Sequence, residues 1–284
     1  MTVIDLKAGI YRMDTQLRTL PDSCHFEENL DHYFNSKASL NGVNLEAVID
    51  ELIIHIDKLR SKNKFKIISL IGGAASGKST FAGRLVEGLV GHGIRASVIS
   101  TDDYLRGDRK SRRAEGFEML ETKSLSPEAK YDWEFLNETI NRIAKLKDGQ
   151  DTGVPTYNKK TGEAIGDGIY HNYQKKIGKS DVLIVEGDFD KVDNPTLKLY
   201  LHALDRARKQ NRITRDIRER GETDVKKIVE SFNLRQKTQH IPFTQPAAAR
   251  ADILIKVSSE NTEDWRFSLF ETRTSSNKGL GPHP

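Results

Sequence analysis

Along the chain, short unbroken apolar runs alternate with longer segments in which apolar residues recur every three or four positions. The runs lie at 66–71 (KIISLI), 96–100 (ASVIS), 182–186 (VLIVE), 197–203 (LKLYLHA) and 253–257 (ILIKV). They lack polar alternation, the pattern of strands covered on both faces. The periodic segments predict helices: 78–90, with Phe81, Leu85 and Leu89 inward, and a stretch carrying Trp133, Phe135, Leu136, Ile140, Ile143 and Leu146. Strand–helix alternation of this kind predicts an α/β fold, a doubly wound and mostly parallel sheet.

Upstream, Val43, Leu45, Val48, Ile49, Leu52, Ile53, Ile56 and Leu59 form one apolar stripe at helical spacing. Residues 1–64 are therefore expected to be a helical N-terminal extension packed on a main domain at 65–260. Residues 261–284 form a C-terminal segment whose tail, from Arg273, has the composition of disorder. Two long polar stretches, 105–130 and 148–175, are expected to cover a ligand, since long irregular segments in compact domains are either functional or disordered.

Composition narrows the class. With 36% hydrophobic and 30% charged residues, the chain fits a water-soluble globular protein. The net charge of +4 sets 45 basic against 41 acidic residues, too mild a surplus to argue for nucleic acid. A single cysteine, Cys24, excludes an intrachain disulfide and a Cys-rich metal site. The first twenty residues lack the apolar core of a signal peptide, and no apolar stretch is long enough to span a bilayer. A cytoplasmic enzyme without a membrane partner is expected. Nothing in the pattern fixes the oligomeric state, and a homo-oligomer stays open.

Chemistry first shows at Gly72-Gly73-Ala74-Ala75-Ser76-Gly77-Lys78-Ser79-Thr80, which fits G-x-x-x-x-G-K-[ST], the P-loop. An apolar strand precedes it and an amphipathic helix follows, so its amide groups and the positive helix end can face phosphates. Gly72, Ala74, Ala75, Ser76, Gly77, Lys78, Ser79 and Thr80 are the expected ATP contacts, with Lys78 on the β/γ-phosphates and the Ser79 hydroxyl on Mg²⁺. Neither the Asn-Lys-x-Asp motif of GTPases nor an LSGGQ-type signature is present, which leaves a kinase favoured.

Acidic residues at strand ends add to this. Asp102 and Asp103 follow the run at 96–100, where ligands bind in open α/β sheets, and a carboxylate there can orient a hydroxyl for attack. The blander alternative is an Asp pair capping a turn. Glu186 ends the run at 182–186 and is a candidate for the Mg²⁺ shell, or else a solvated loop residue. From 206 to 220 the chain carries Arg206, Arg208, Lys209, Arg212, Arg215, Arg218 and Arg220 against Asp216 and Glu219. Arg208, Arg212 and Arg215 share a helix face. Such arginines either close over phosphates or form a solvated basic helix.

Together these blocks resemble the uridine kinase/phosphoribulokinase/pantothenate kinase group of P-loop kinases, over about 66–257. GGAASGKST is similar to the family P-loop, STDDYL to its D-[SGD]-[FY] segment, VLIVEGDF to its hhhhEG strand and RITRDIRERGET to its R-x-x-R-D-x-x-E-R-G lid. The resemblance implies a fold of P-loop NTPase type with an arginine-bearing helical lid at about 205–222. It also implies Asp102 as the catalytic carboxylate, Glu186 as the metal-associated acid, and Arg212, Arg215 and Arg220 on phosphates. Pro155-Thr156-Tyr157-Asn158 is similar to an acceptor-contacting element, and Lys159-Lys160-Thr161-Gly162 follow where uridine kinases place a His. Expected acceptor contacts are Asp103, Tyr104, Tyr157 and Arg215. Lys78, Asp102, Arg212 and Arg215 are the expected catalytic set, with ATP and Mg²⁺ as cofactors and a small-molecule hydroxyl as acceptor. A nucleotide-dependent switch and a nucleic-acid-stimulated ATPase are the alternatives; nucleic acid is not expected as a partner.

Overall fold

The five apolar runs become the parallel core of one sheet. In the computed structural model, which describes residues 39–59, 65–106, 130–157, 175–258 and 266–271, they are β2 (Lys66–Gly72), β3 (Ala96–Ser100), β6 (Val182–Gly187), β7 (Leu197–Ala203) and β8 (Ile253–Ser258). Two antiparallel strands, β1 (Leu40–Val43) and β9 (Arg266–Glu271), complete a seven-stranded sheet of order β1-β9-β8-β7-β2-β6-β3. The sheet is thus mostly parallel, as expected, although neither antiparallel strand was legible as one. Val43, assigned to the helical stripe from its spacing, sits in β1 and pairs with Phe267. A separate hairpin joins β4 (Asp151–Val154) to β5 (Lys175–Gly178).

Helices cover both faces, which is why the strands can be apolar throughout. On one face lie α1 (Leu45–Lys58), capped by the Asn44 side chain on the Ala47 amide, and α2 (Lys78–Gly91). Leu52, Ile56, Phe81, Leu85 and Leu89 pack there on Ile68, Leu70, Ile184 and Leu199. On the other face α3 (Trp133–Ala144) sets Leu136, Ile140 and Ile143 against Ile99, Leu183 and Val185. The arginine-rich segment forms α4 (Asp205–Arg220), ended by left-handed Gly221, and α5 (Val225–Arg235) follows it. No helix among the described residues is long and apolar enough to cross a membrane. Residues 1–38, 60–64, 107–129, 158–174, 259–265 and 272–284, with Cys24, Asn158 and the tail from Arg273, lie outside the described residues.

β2 is central, flanked by β6 and β7, while the chain returns from it to β3 at the far edge. This is the kind of switch point at which a crevice opens beyond the carboxyl ends of parallel strands.

Candidate active site

The loop from Gly72 to Gly77 leaves β2 and turns into α2. Its tight curl rests on two left-handed residues, Ala75 and Gly77. Gly73 matters for space instead: a Cβ there would come within 2.3 Å of the Arg208 guanidinium. Gly77 caps α2 without a side-chain hydrogen bond, so the first-turn amides stay available to an anion. Ser76 is buried beneath the loop, and Ser79 and Thr80 are exposed on α2.

Lys78 is almost fully buried, and its ammonium donates to the carbonyls of Gly72 (2.9 Å) and Gly73 (3.0 Å) and to Asp188 Oδ1 (2.9 Å). Burial pushes the Asp188 carboxyl up, but the charges of Lys78, Lys130 and Arg235 outweigh it and hold it below the ordinary carboxylate range. Ser79 Oγ donates to Glu186 Oε1 at 3.0 Å. Burial raises the Glu186 pKa, opposed by Lys78. A hydroxyl and a buried carboxylate side by side form the sparse oxygen set that Mg²⁺ accepts, its remaining positions going to phosphate and water.

Asp102 and Asp103 lie on a single 3₁₀ turn, Thr101–Tyr104, capped by the Ser100 side chain. The turn sits directly against the end of β6, because Thr101 fills the space a side chain on Gly187 would need. The two carboxylates part ways from there. Asp102 is exposed and accepts a hydrogen bond from the Tyr131 phenol at 3.3 Å. Asp103 accepts from the Tyr157 amide at 2.8 Å, tying the 155–157 segment to the turn. Burial pushes its pKa up to about 6, against the pull of that amide and of Lys175. Tyr104 does not reach the cleft: it is 1% exposed, and its ring packs on Phe135 in the α3 core. Tyr157 is half-buried beside Leu105, Tyr131, Phe189 and Phe243, so the structure brings it, unlike Tyr104, to the aromatic side of the cleft.

α4 lies against the P-loop. Arg208, 2% exposed, donates to the Ala74 carbonyl (3.1 Å), Asp205 (2.9 Å) and Gln236 (2.8 Å), and its guanidinium meets His240 Nε2 at 3.0 Å. Burial, then Arg208, drives the His240 pKa far down, so the ring is neutral and accepts at Nε2. Asn211 adds a bond to the Ala75 carbonyl. One turn on, Arg212 (2.6 Å), Arg215 (3.3 Å) and Arg220 (3.2 Å) converge on a single carboxylate, Asp216. Burial, followed by the charges of Arg235, Arg215 and Arg220, lowers the Arg212 pKa; burial and Arg215 do the same for Arg220. Cations held in such surplus form a receptor for an anion. A cavity between P-loop and helices is lined by Ala74, Asp188, Arg212, Arg235, Gln239 and His240, among others.

Sequence reasoning missed Asp188, Tyr131 and Arg235, although Asp188 lies in the VLIVEGDF block two residues after Glu186. Arg208, named for its helix face, is a brace of the P-loop.

Comparison with known proteins identifies the family. The profile of the phosphoribulokinase/uridine kinase family matches residues 67–263. A uridine kinase from Staphylococcus epidermidis is 31% identical over 208 residues, 70% of this chain and 91% of the relative. One from Staphylococcus aureus is 30% identical over 200 residues, 69% of this chain and 89% of the relative. Among solved structures, the D-glycerate 3-kinase of Cryptococcus neoformans superposes with a TM-score of 0.53 at 14% identity, covering 75% of this chain and 94% of that one, a likeness of fold alone. The chain belongs to the phosphoribulokinase/uridine kinase family of P-loop phosphotransferases.

Proposed function

We propose that this kinase uses MgATP and transfers the γ-phosphoryl group to the hydroxyl of a small molecule. The observation that carries the reading is one convergence. Lys78, the Ser79–Glu186 pair and Asp102 meet at the ends of neighbouring strands, facing a helix on which three arginines share one buried carboxylate. Phosphoryl transfer asks little covalent chemistry of a protein, so positioning and charge supply most of the catalysis.

The phosphates would lie on the P-loop amides from Gly72 to Thr80, with Lys78 between the β- and γ-groups. Ser79 and Glu186 would hold Mg²⁺, which neutralises phosphate charge when bound. Asp102, the exposed member of the pair, would orient the acceptor hydroxyl for in-line attack. Arg212, Arg215 and Arg220 would meet charge on the transferring group, with Arg235 as a fourth cation. α4 would act as the lid that excludes water, so that ATP is not simply hydrolysed. For the acceptor, Tyr157 with Tyr131 and Phe189 forms the better wall; Asp103 would act through the 155–157 backbone, and Tyr104 through packing. Because Arg208 is buried and bonded to the P-loop, and the buried Arg212 lines the cavity beside Ala74, this helix face suits phosphates better than an external nucleic-acid strand.

The test is an ADP-release screen over nucleosides, pantothenate-like alcohols, sugar phosphates and hydroxy acids, uridine included. At least one acceptor should raise ADP release well above background in the wild type and not in Asp102→Asn. ADP release independent of every acceptor, and equal in the two proteins, would sink the reading.

A further inference from the structure

We infer that Asp188 is a built-in competitor of the nucleotide for Lys78, and so sets how tightly and for how long the P-loop holds nucleotide. The inference rests on the kinase reading above. An ammonium has three N–H donors, and here all three are taken: two by carbonyls of the loop itself, at 2.9 and 3.0 Å, and one by Asp188 at 2.9 Å. A phosphate oxygen arriving at Lys78 must therefore displace a partner. Gly72 and Gly73 are fixed by β2 and by the Arg208 brace, so their carbonyls can leave only if the loop is rebuilt. Asp188 hangs on a side chain and can move by rotation.

Displacement is resisted twice. The pair is largely buried, with side-chain exposures of 8% and 18%, so its attraction is poorly screened. Once moved, the carboxylate stands beside phosphate oxygens of its own sign. Lys130 and Arg235, whose charges already act on Asp188, offer it a second seat, which keeps the exchange reversible. The other carboxylates of the site have separate partners: Glu186 holds Ser79, Asp102 meets Tyr131, and Asp216 gathers the arginines. In a working enzyme the return of Asp188 to Lys78 would help expel ADP.

The measurement is ADP binding by titration calorimetry, with the release rate by stopped flow, for wild type, Asp188→Asn and the smaller Asp188→Ser. Removing the charge should tighten ADP about tenfold and slow its release by a similar factor. The nucleotide-free variant should melt lower, yet gain more from ADP. ADP affinity that is unchanged or weaker in both variants overturns the inference. So does a loss of affinity seen only when Mg²⁺ is present, which would assign Asp188 to the metal. These results would leave the kinase reading standing, whereas a wild type that binds no nucleotide would fell that reading as well.

Discussion

On the side of the cleft that would hold ATP, charged groups are braced against one another at short range. Lys78 is bonded by the loop and Asp188, Arg208 locks the loop to α4, and three arginines share Asp216. On the side that would hold the acceptor, the described walls are aromatic, and the polar anchors include Tyr131 to Asp102 and the Tyr157 amide to Asp103. The first side is bound to one ligand chemistry, because three arginines on one carboxylate leave positive charge that favours an anion. The second can change its substrate by altering a ring or a loop without disturbing the first.

The sharpest way to break the comparison is to strike each side once. Lys78→Ala should remove nucleotide binding and turnover together, since the cradle loses its central cation. Asp102→Asn should leave nucleotide affinity within about twofold while kcat falls by about 10²–10⁴, the range for a lost acid–base group. Binding titrations beside initial rates would separate the two. If Asp103→Asn gives the kcat-only pattern instead, the roles within the pair are reversed.

Next in size is the brace between the sides. Arg208→Ala strips a buried guanidinium from Ala74, Asp205, Gln236 and His240, and should cost about 3–5 kcal/mol in urea unfolding. Arg208→Lys should recover little, because an ammonium cannot reproduce the planar fork.

What could be read from the sequence follows the same divide. The P-loop, Glu186 and the arginine helix are local strings beside an apolar run or within one helix, so short-range pattern finds them. Strand β9 does alternate at Phe267 and Leu269, but it lies beyond the last strong run and pairs antiparallel with β8. Strand β1, LNGV, is short and carries Gly42 at positive φ, so nothing marks it until β9 is there to pair with. Tyr104 misled because a residue next to an Asp pair can point either way from a 3₁₀ turn, and burial behind α3 decided it. Asp188 sits 110 residues from Lys78 and Tyr131 sits 29 from Asp102, separations at which periodicity carries no information.

A smaller effect tests the anchor of the 155–157 segment. The folded pKa of Asp103, about 6, lies above its ordinary 3.8, so between these values the folded state holds the extra proton. Stability from this group is therefore greatest below about pH 4 and is lost as pH rises towards 6. Relative to Asp103→Asn, the wild type should lose on the order of 2–3 kcal/mol between pH 4 and pH 7. Parallel unfolding curves at the two pH values would show that difference, and equal slopes would deny the burial of the charge.

The smallest effect falls on the acceptor side and is the most specific. Tyr131 is fully buried, its ring held by Trp133 at 5.1 Å and by Phe189 edge-on at 5.6 Å, with the Lys130 ammonium 4.9 Å from its centroid. A ring clamped in this way can only aim its hydroxyl, and the aim is at Asp102. Tyr131→Phe keeps the packing and removes one donor, so the fold and nucleotide affinity should be unchanged. Asp102 would lose the bond that aims its carboxylate, and kcat should fall about three- to tenfold, the worth of one modest hydrogen bond. The affinity for nucleotide should stay within about twofold of wild type, because nothing on the phosphate side of the cleft changes. A merely structural tyrosine would show its loss in urea unfolding and leave kcat where it was.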